Sequence, residues 1–308
     1  MGEIGVSVVM PCLNEEKTVG ICVKKALETL KKAGYKGEVV VSDNGSKDNS
    51  ARLAKEAGAR VVNQPLRGYG NAYKKGFAEA KGGIIVMLDS DCTYPIQDIP
   101  KFVEPILKGE AEFVLGNRLK GKIEKGAMPP LHRYIGNPLL TAILNLLFGS
   151  QWGDAHCGMR AFTKSSLEKM RLHTGGMEFA SEMAIKASML KLKSKQVPID
   201  YFSRKKDAPS SLRSFSDGWR NIRFMLLYTP LHLSLIPGIT LLLLGIALLA
   251  SSFLDLPSMS ASAISPMLGS LLSIIGFQGV MFALMAKTFA VEDKFIQTGM
   301  PDYAKEPK

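Results

Sequence analysis

The chain has 308 residues, 46% of them hydrophobic, and its 39 Lys and Arg outnumber 28 Asp and Glu for a net charge of +11. That balance suits anionic partners. With no zinc-finger spacing and no aromatic RNA-binding signature, nucleic acid is set aside in favour of a lipid surface or a phosphorylated substrate. Cys12, Cys22, Cys92 and Cys157 form no CxxC and no Cys/His pair at metal spacing, so reduced thiols in a cytosol-facing domain are expected. Met1 to Gly5 leads straight into a strand-like run, without a signal-peptide pattern.

Val6 to Met10 is apolar and β-branched and stops at Pro11, which predicts a buried strand. Val19, Val23, Ala26, Leu27 and Leu30 have helical spacing, which predicts a helix over 15–33. A second strand is expected at Glu38 to Ser42, closed by the turn cluster Asp43-Asn44-Gly45-Ser46. Then follow a helix over Lys47 to Ala57, a short strand over Arg60 to Asn63, a helix over Asn71 to Ala80 and a strand over Ile84 to Leu88. Strands alternate with helices and are apolar on both faces. This pattern predicts a mostly parallel α/β sheet covered by helices on both sides. Ligands in such sheets bind beyond the carboxyl ends of the strands. Asn14-Glu15, Asp43 to Ser46 and Asp89-Ser90-Asp91 all fall at such ends.

Further along, Phe113 to Gly116 reads as a strand, Gly121 to Pro130 as a loop and Leu139 to Phe148 as an apolar helix too short to span a bilayer. That helix suits either a core or a membrane interface. Met177 to Leu192 reads as a helix with Glu178 and Glu182 on one face, and Gln196 to Phe202 as a last strand. Between Arg213 and Tyr228, Trp219, Arg220 and Arg223 interleave with apolar residues, as in a juxtamembrane amphipathic helix.

The mean hydropathy of +0.08 averages this mixed region with two apolar blocks in the last third. Leu231 to Phe253 carries no formal charge beyond a titratable His232 at its edge, and Ile264 to Ala286 is similar. At about 23 residues each reaches roughly 34 Å, enough for a hydrocarbon core near 30 Å. Arg213, Arg220 and Arg223 precede the first block, Lys287 and Lys294 follow the second, and the connection Leu254 to Ala263 has no Lys or Arg. The positive-inside rule then expects both flanks in the cytoplasm. Pro237, Gly238, Gly245, Gly269, Gly276 and Gly279 would let the two helices pack closely. The expected organisation is a catalytic domain over 1–212, an amphipathic helix over 213–230, spans over 231–254 and 264–287, and a cytoplasmic tail over 288–308.

Asp89 and Asp91, at i and i+2 just past a buried strand, can point to one side of the chain. Their hard oxygens suit Mg²⁺ or Mn²⁺ bridging to a diphosphate. Asp43 can accept from a base N–H or a ribose hydroxyl, and the Gly45-Ser46 amides would face a phosphate at the next helix start. Asn14 and Ser46 also suit helix N-caps. Arg67-Gly68-Tyr69-Gly70-Asn71 is a glycine-rich turn before a helix and a candidate donor-contacting loop. Arg118, Arg133 and Arg204 are candidate phosphate clamps. In Asp154-Ala155-His156-Cys157-Gly158-Met159-Arg160, a lone His beside a Cys suits a structural role better than a metal site.

Taken in order, VSVVMPCLNEEKTV, VSDNGSKDNS, GYGNAYKKGF, IIVMLDSDCTYP, FVLGNRL and DAHCGMRAF resemble the inverting glycosyltransferases of family 2 over roughly residues 4–225. The resemblance is to the polyprenyl-phosphate branch, which includes dolichyl-phosphate mannose synthases. It implies a GT-A fold, a Rossmann-like mixed sheet with flanking helices, followed by a two-helix membrane hairpin. It implies that Pro11, Asn14, Glu15, Asp43 and Asn44, with Gly68 and Asn71, hold a nucleotide-sugar donor. Asp89 and Asp91 would hold its diphosphate through Mg²⁺ or Mn²⁺. Arg118, Arg133, Asn137 and Arg204 would grip the acceptor phosphate of a polyprenyl phosphate. Asp154 and Arg160 fall on the branch's Asp…Gly-Phe-Arg motif, with Met159 for Phe. One departure stands out: the branch's Arg…Gly…Ser-Lys-Leu loop reads Arg204 to Leu212 here, without the Gly and with Ser211 for Lys. Lys205 and Lys206 are available substitutes.

The resemblance implies inverting hexose transfer, with Asp154 orienting a sugar or an arginine. The two-span architecture favours UDP-glucose over GDP-mannose and UDP-N-acetylglucosamine. A processive polysaccharide synthase would need a Gln-x-x-Arg-Trp motif, and neither Trp152 nor Trp219 sits in one. A membrane-tethered binding protein without activity fits less well, because both carboxylates and the arginines are retained. The sequence does not set the oligomeric state; a homo-oligomer is compatible with it.

Overall fold

The computed structural model describes residues 5–204, 214–228, 234–253 and 264–292. The chain divides into two compact units between Asn221 and Ile222. The first is built on a seven-stranded sheet of order β3-β2-β1-β4-β6-β5-β7. Its strands are β1 (Val6–Cys12), β2 (Gly37–Asp43), β3 (Arg60–Asn63), β4 (Ile84–Met87), β5 (Phe113–Asn117), β6 (Arg160–Thr163) and β7 (Ser194–Pro198). The helices are α1 (Val19–Lys32), α2 (Ser50–Glu56), α3 (Tyr69–Glu79), α4 (Ile99–Leu107), α5 (Asn137–Phe148), α6 (Lys164–Met170), α7 (Phe179–Met189) and α8 (Ser214–Tyr228), the last crossing the division between units.

β1 and β4 are central and parallel, and their apolar residues are buried on both faces, as a sheet covered by helices on both sides requires. β6 is antiparallel to both β4 and β5, so the sheet is mixed. On one face Tyr73 and Phe77 from α3 meet Phe162 of β6 and Phe179 of α7 in a chain of ring contacts 5.3–6.2 Å apart.

The register brings the functional segments to one edge. Met87 of β4 pairs with Arg160 of β6. The chain leaving β4 and the chain entering β6 therefore meet at the carboxyl edge. β5 pairs through Leu115 with Arg160 and through Asn117 with Pro198, so Arg118 and the segment after β7 emerge there too. The ends of β1 and β2 join them, with Cys12 opposite Asp43.

The expected strands appear, with differences at the ends. α1 starts at Val19 rather than at position 15, because the Glu15 N–H donates to Ser50 Oγ at 2.8 Å and its chain turns before the helix. Asn14 and Ser46 cap no helix. Asn14 N donates to Ser46 Oγ at 3.0 Å, and Lys47 N donates to Asn14 Oδ1 at 2.8 Å, so the two loops stitch the ends of β1 and β2 together. α5 buries Thr141 and Leu144 and exposes Leu139 and Leu146. It is therefore a half-buried helix.

The second unit contains α9 (Ile236–Phe253) and α10 (Ile264–Glu292), packed through glycines. A Cβ on Gly276 would lie 2.3 Å from Leu242 N, and one on Gly245 would lie 2.5 Å from Ser273 N. Only glycine permits that backbone approach. The outer faces are apolar: Leu243, Ile246, Leu271, Ile274, Phe282 and Met285 are all exposed. Among the described residues one helix, over Ser265–Ala286, is long and apolar enough to cross a membrane. The other apolar stretch, Ile236–Ser252, is shorter. His232, the connection 254–263 and the expected tail beyond residue 292, Lys294 included, lie outside the described residues, as do Lys205, Lys206 and Arg213.

Candidate active site

The acidic turn after β4 is held from several elements. Tyr69 and Tyr73 of α3 donate their hydroxyls to Asp89 Oδ1 at 3.0 and 2.9 Å. Gly158 backs the same carboxylate so closely that a Cβ there would lie 2.9 Å from Asp89 Oδ2. Ser90 Oγ donates to Pro11 O at 2.6 Å, tying the turn to the end of β1. Asp91 Oδ1 accepts from Thr93 N at 3.1 Å and from Thr93 Oγ1 at 2.6 Å. Its Oδ2 accepts from Arg204 Nε at 2.8 Å, and Arg204 Nη2 reaches Glu15 Oε1 at 3.3 Å.

The electrostatics follow. Burial, then the charge of Asp91, pushes Asp89 up to about 6. Burial raises Glu15, opposed by Thr18 and Arg204. Burial would lower the Arg204 guanidinium, but Asp91 and Glu15 outweigh it and hold it above its ordinary value.

Further along the rim, Arg118 and Asp154 form a buried bidentate pair. Nε donates to Oδ2 at 2.6 Å, Nη2 donates to Oδ1 at 2.9 Å, and the Arg118 N–H adds a third bond at 3.2 Å. Burial would raise Asp154, but Arg118 prevails and holds it below the usual carboxylate range. Arg118 also lies over the Tyr201 ring, 5.2 Å from its centroid.

Among the residues expected to hold a donor, Asp43 accepts from Ser46 N at 3.3 Å. The Ser46 amide is thus turned to Asp43 rather than outward. The Asn44 amide is spent on the chain itself. It donates to Gln64 O and Leu66 O at 3.0 and 2.9 Å and accepts from Gly68 N at 2.7 Å. Gly68 has φ 136 and packs against Gly175, where a Cβ would meet the carbonyl. Asn71 donates through its side chain to Arg67 O at 3.0 Å and through its backbone to Gly175 O at 3.2 Å. These three residues shape the loop that carries Tyr69.

Arg133 and Asn137 lie one helical turn apart just before and within α5, outside the hydrogen-bonded network of the rim. Arg133 stacks over Tyr134 at 5.2 Å, and Asn137 reaches Met128 Sδ at 3.4 Å. One turn on, Thr141 Oγ1 accepts from Ala155 N at 3.3 Å, beside Asp154. Arg160 is fully buried and donates to the carbonyls of Cys157, Ala180 and Ala155 at 2.8–2.9 Å. It knots the loop that carries Asp154. Burial pushes His156 down to about 4, so it is neutral, and it shares a hydrogen bond with Ser181 Oγ at 3.1 Å.

Tyr73, Thr93 and Tyr201 were not singled out from the sequence, and Tyr69 was named only as part of the glycine-rich turn. The i, i+4 spacing of the two tyrosines after a glycine-rich turn was the one available signal. Two carboxylates at one turn, with hard oxygens and a raised Asp89, suit a divalent cation. Among the described residues no group of three or more His, Cys, Asp or Glu gathers. Further ligands would come from a bound diphosphate or water.

The family model for glycosyl transferase family 2 matches residues 7–171. The chain is 41% identical over 278 residues to the low-salt glycan biosynthesis hexosyltransferase Agl6 of Haloferax volcanii, covering 90% of this chain and 67% of that one. It is 32% identical to a dolichyl-phosphate hexose transferase of the same organism, over 69% of this chain and 88% of that one. Glucosyl-3-phosphoglycerate synthase from Mycobacterium tuberculosis, solved with Mn²⁺ and UDP-glucose, superposes with a TM-score of 0.55 at 25% identity, covering 73% and 78% of the two chains. The match over more than half of the chain, with a relative at 41% identity, shows that the chain belongs to glycosyltransferase family 2.

Proposed function

We propose that this glycosyltransferase moves a hexose, with UDP-glucose as the favoured donor, onto a polyprenyl phosphate with inversion at the anomeric carbon. The observation that carries this reading is the meeting of the Asp89-Ser90-Asp91 turn and the Arg118–Asp154 pair on one rim. The hexosyltransferase relatives support the reaction class, and the dolichyl-phosphate relative supports the acceptor.

In this reading Pro11, Asn14, Glu15 and Asp43 line the nucleotide end of the cleft. Asp89 and Asp91 would hold Mg²⁺ or Mn²⁺, which when bound would neutralise charge on the departing diphosphate. Tyr69 and Tyr73 fix the Asp89 carboxylate in one orientation. A phosphate monoester has its second pKa near about 6, so the acceptor is mostly a dianion at neutral pH and needs little general-base help. Asp154 is fully buried and spends both oxygens on Arg118. It positions that guanidinium rather than abstracting a proton. Arg118, with Arg133, Asn137 and Arg204, would hold the lipid phosphate in line, an orientation effect.

The membrane reading rests on the glycine-packed pair α9 and α10 with its exposed apolar faces. We place a catalytic domain over 1–212, a juxtamembrane helix over 213–230, spans over 231–254 and 264–287, and a tail over 288–308, with both ends in the cytoplasm. The test supplies membranes containing the protein with Mn²⁺, a polyprenyl phosphate and labelled UDP-glucose, UDP-N-acetylglucosamine or GDP-mannose in parallel. Label in the organic-extractable lipid from UDP-glucose is expected. Label from another donor alone would correct the sugar, and none from any donor, with folded protein, would overturn the acceptor.

A further inference from the structure

Two thiols lie in contact directly behind the acidic turn. Cys22, on the buried face of α1, has its Sγ 3.1 Å from Cys92 Sγ. Cys92 follows Asp91 in the chain and takes φ 62, the left-handed region that residues with a Cβ rarely adopt. Such a backbone persists only where its surroundings dictate it. The next residue, Thr93, supplies both hydrogen bonds to Asp91 Oδ1, and its carbonyl accepts from Phe202 N at 2.9 Å. The position of Cys92 is therefore coupled to Asp91 on one side and to the segment leading to Arg204 on the other.

The pair is reachable from outside. Cys92 lines a cavity of about 220 Å³ together with Lys25, Tyr94, Ile96, Gln97 and Phe202. Cys22 is fully buried, and the Cys92 thiol together with burial pushes its pKa well up, so it keeps its proton. Cys12 and Cys157 are buried too, and burial raises them to about 11 and about 12. Cys92 is the one cysteine with intermediate exposure. It is the sulfur that meets an oxidant first, and Cys22 is placed to resolve it.

We propose that Cys22 and Cys92 are a redox-sensitive pair that closes to a disulfide under a peroxide and, by dragging the turn that carries Asp91 toward α1, switches sugar transfer off. The effect on transfer rests on the role assigned above to Asp91; the cross-link itself does not. In the first step Cys92 sulfur displaces hydroxide from hydrogen peroxide, giving the sulfenic acid and, with the thiol proton, one water. In the second, Cys22 sulfur attacks that sulfur, the S–O bond breaks, and the departing hydroxide takes the Cys22 proton as a second water. Two thiols have lost two electrons and one peroxide has gained them. A dithiol reductant reverses the change by exchange. A disulfide needs its sulfurs about 2.05 Å apart, so closure draws the two together by about 1 Å. Where a displacement of that size is passed on to a catalytic group, it can cost about 10²-fold in rate. Intracellular disulfides are commonly transient sensors of this kind.

The test treats the full-length protein in membranes with hydrogen peroxide, then maps peptides without reduction by mass spectrometry and assays transfer before and after dithiothreitol. A linked Cys22–Cys92 peptide is expected, with transfer down about 10²-fold and restored by the reductant. Cys22→Ala should keep its transfer after a brief peroxide exposure. Absence of the linked peptide in the wild-type protein would overturn the proposal, and that readout needs neither a variant nor activity. Equal loss of transfer in wild type and Cys22→Ala would overturn the switch. A linked peptide in a protein that transfers no sugar even when reduced would instead count against the proposed function.

Discussion

Arg204 Nε donates to Asp91 Oδ2 at 2.8 Å, and the same guanidinium reaches Glu15 at 3.3 Å. A fixed positive charge therefore sits on one of the two carboxylates assigned to a divalent cation. The pair is partly exposed, with Arg204 at 33% and Asp91 at 9% side-chain exposure, so the contact is of modest strength. A guanidinium so placed competes with the cation for Asp91 and, once displaced from it, would turn to a phosphate. Arg204→Gln should then bind Mn²⁺ about 2- to 5-fold more tightly, the ratio that an ion pair of about 0.5–1 kcal/mol represents. Transfer should fall in the same variant. Titration followed by the Mn²⁺ spin signal measures the first effect. Unchanged affinity would mean that Arg204 and the cation use different sides of Asp91.

Asp89 sets a pH dependence whose sign is fixed by its raised pKa of about 6 against an ordinary 3.8. Below about 6 the carboxyl is protonated and a poor cation ligand, so transfer should fall as pH drops through that value. Stability runs the other way. The folded form binds the extra proton between the two values, so its advantage is full below the unfolded pKa and is lost as pH rises through about 6. Asp89→Asn removes the buried charge while its amide oxygen still accepts from Tyr69 and Tyr73. At pH 7 it should melt higher than wild type, by up to about 3 kcal/mol of stability, yet lose transfer. A lower melting temperature would show that the charge is compensated rather than strained.

How much of this was visible in the sequence depends on what each residue type advertises. β1, β2 and β4 are continuous apolar runs closed by polar turns, so their ends, and with them Glu15, Asp43 and Asp89, were legible. α4 was not, because Pro100 near its start and Pro105 inside it read as breakers. β6 begins with Arg160, whose charge is buried only because three carbonyls surround it, a tertiary fact. The edge strand β7, Ser194–Pro198, is polar and was expected a little later in the chain. Asn44 and Asn71 were expected to hold the donor, Asn44 in the turn after β2 and Asn71 in the glycine-rich turn before a helix. Their partners, Gln64 O, Leu66 O, Gly68 N and Arg67 O, become neighbours only when the loop folds.

The buried Arg118–Asp154 pair separates positioning from proton transfer. Asp154 is fully buried, which alone would raise it, but Arg118 holds it below its ordinary value, so it stays ionised across the working range. Asp154→Asn should leave the acid limb of the pH–rate profile in place, governed still by Asp89 and by the acceptor phosphate, whose second pKa also lies at about 6, while lowering the rate at every pH. It also leaves the guanidinium buried without its counter-charge, a loss of about 3–5 kcal/mol where a buried pair is broken. Thermal unfolding of the full-length protein reads that loss. Disappearance of the acid limb would restore Asp154 as a base. Arg118→Lys should fail similarly, because an ammonium cannot reproduce the two parallel bonds to Oδ1 and Oδ2.

The packing of α9 on α10 makes a graded prediction, because its glycines differ in the room they leave. A Cβ at Gly276 would lie 2.3 Å from Leu242 N, a backbone atom that moves only with its helix. At Gly279 the nearest atom is Gly238 Cα at 3.2 Å, a gap closed by a small adjustment. Gly276→Ala should therefore force the helices apart and cost about 1–3 kcal/mol, whereas Gly279→Ala should stay within about 0.5 kcal/mol of wild type. The helix propensity gained on replacing glycine is the same about 1 kcal/mol for both, so it cancels from the comparison. Unfolding in detergent, followed by the α-helical signal of the intact protein, ranks the two. If both variants melt together, the glycines are not what holds α9 against α10.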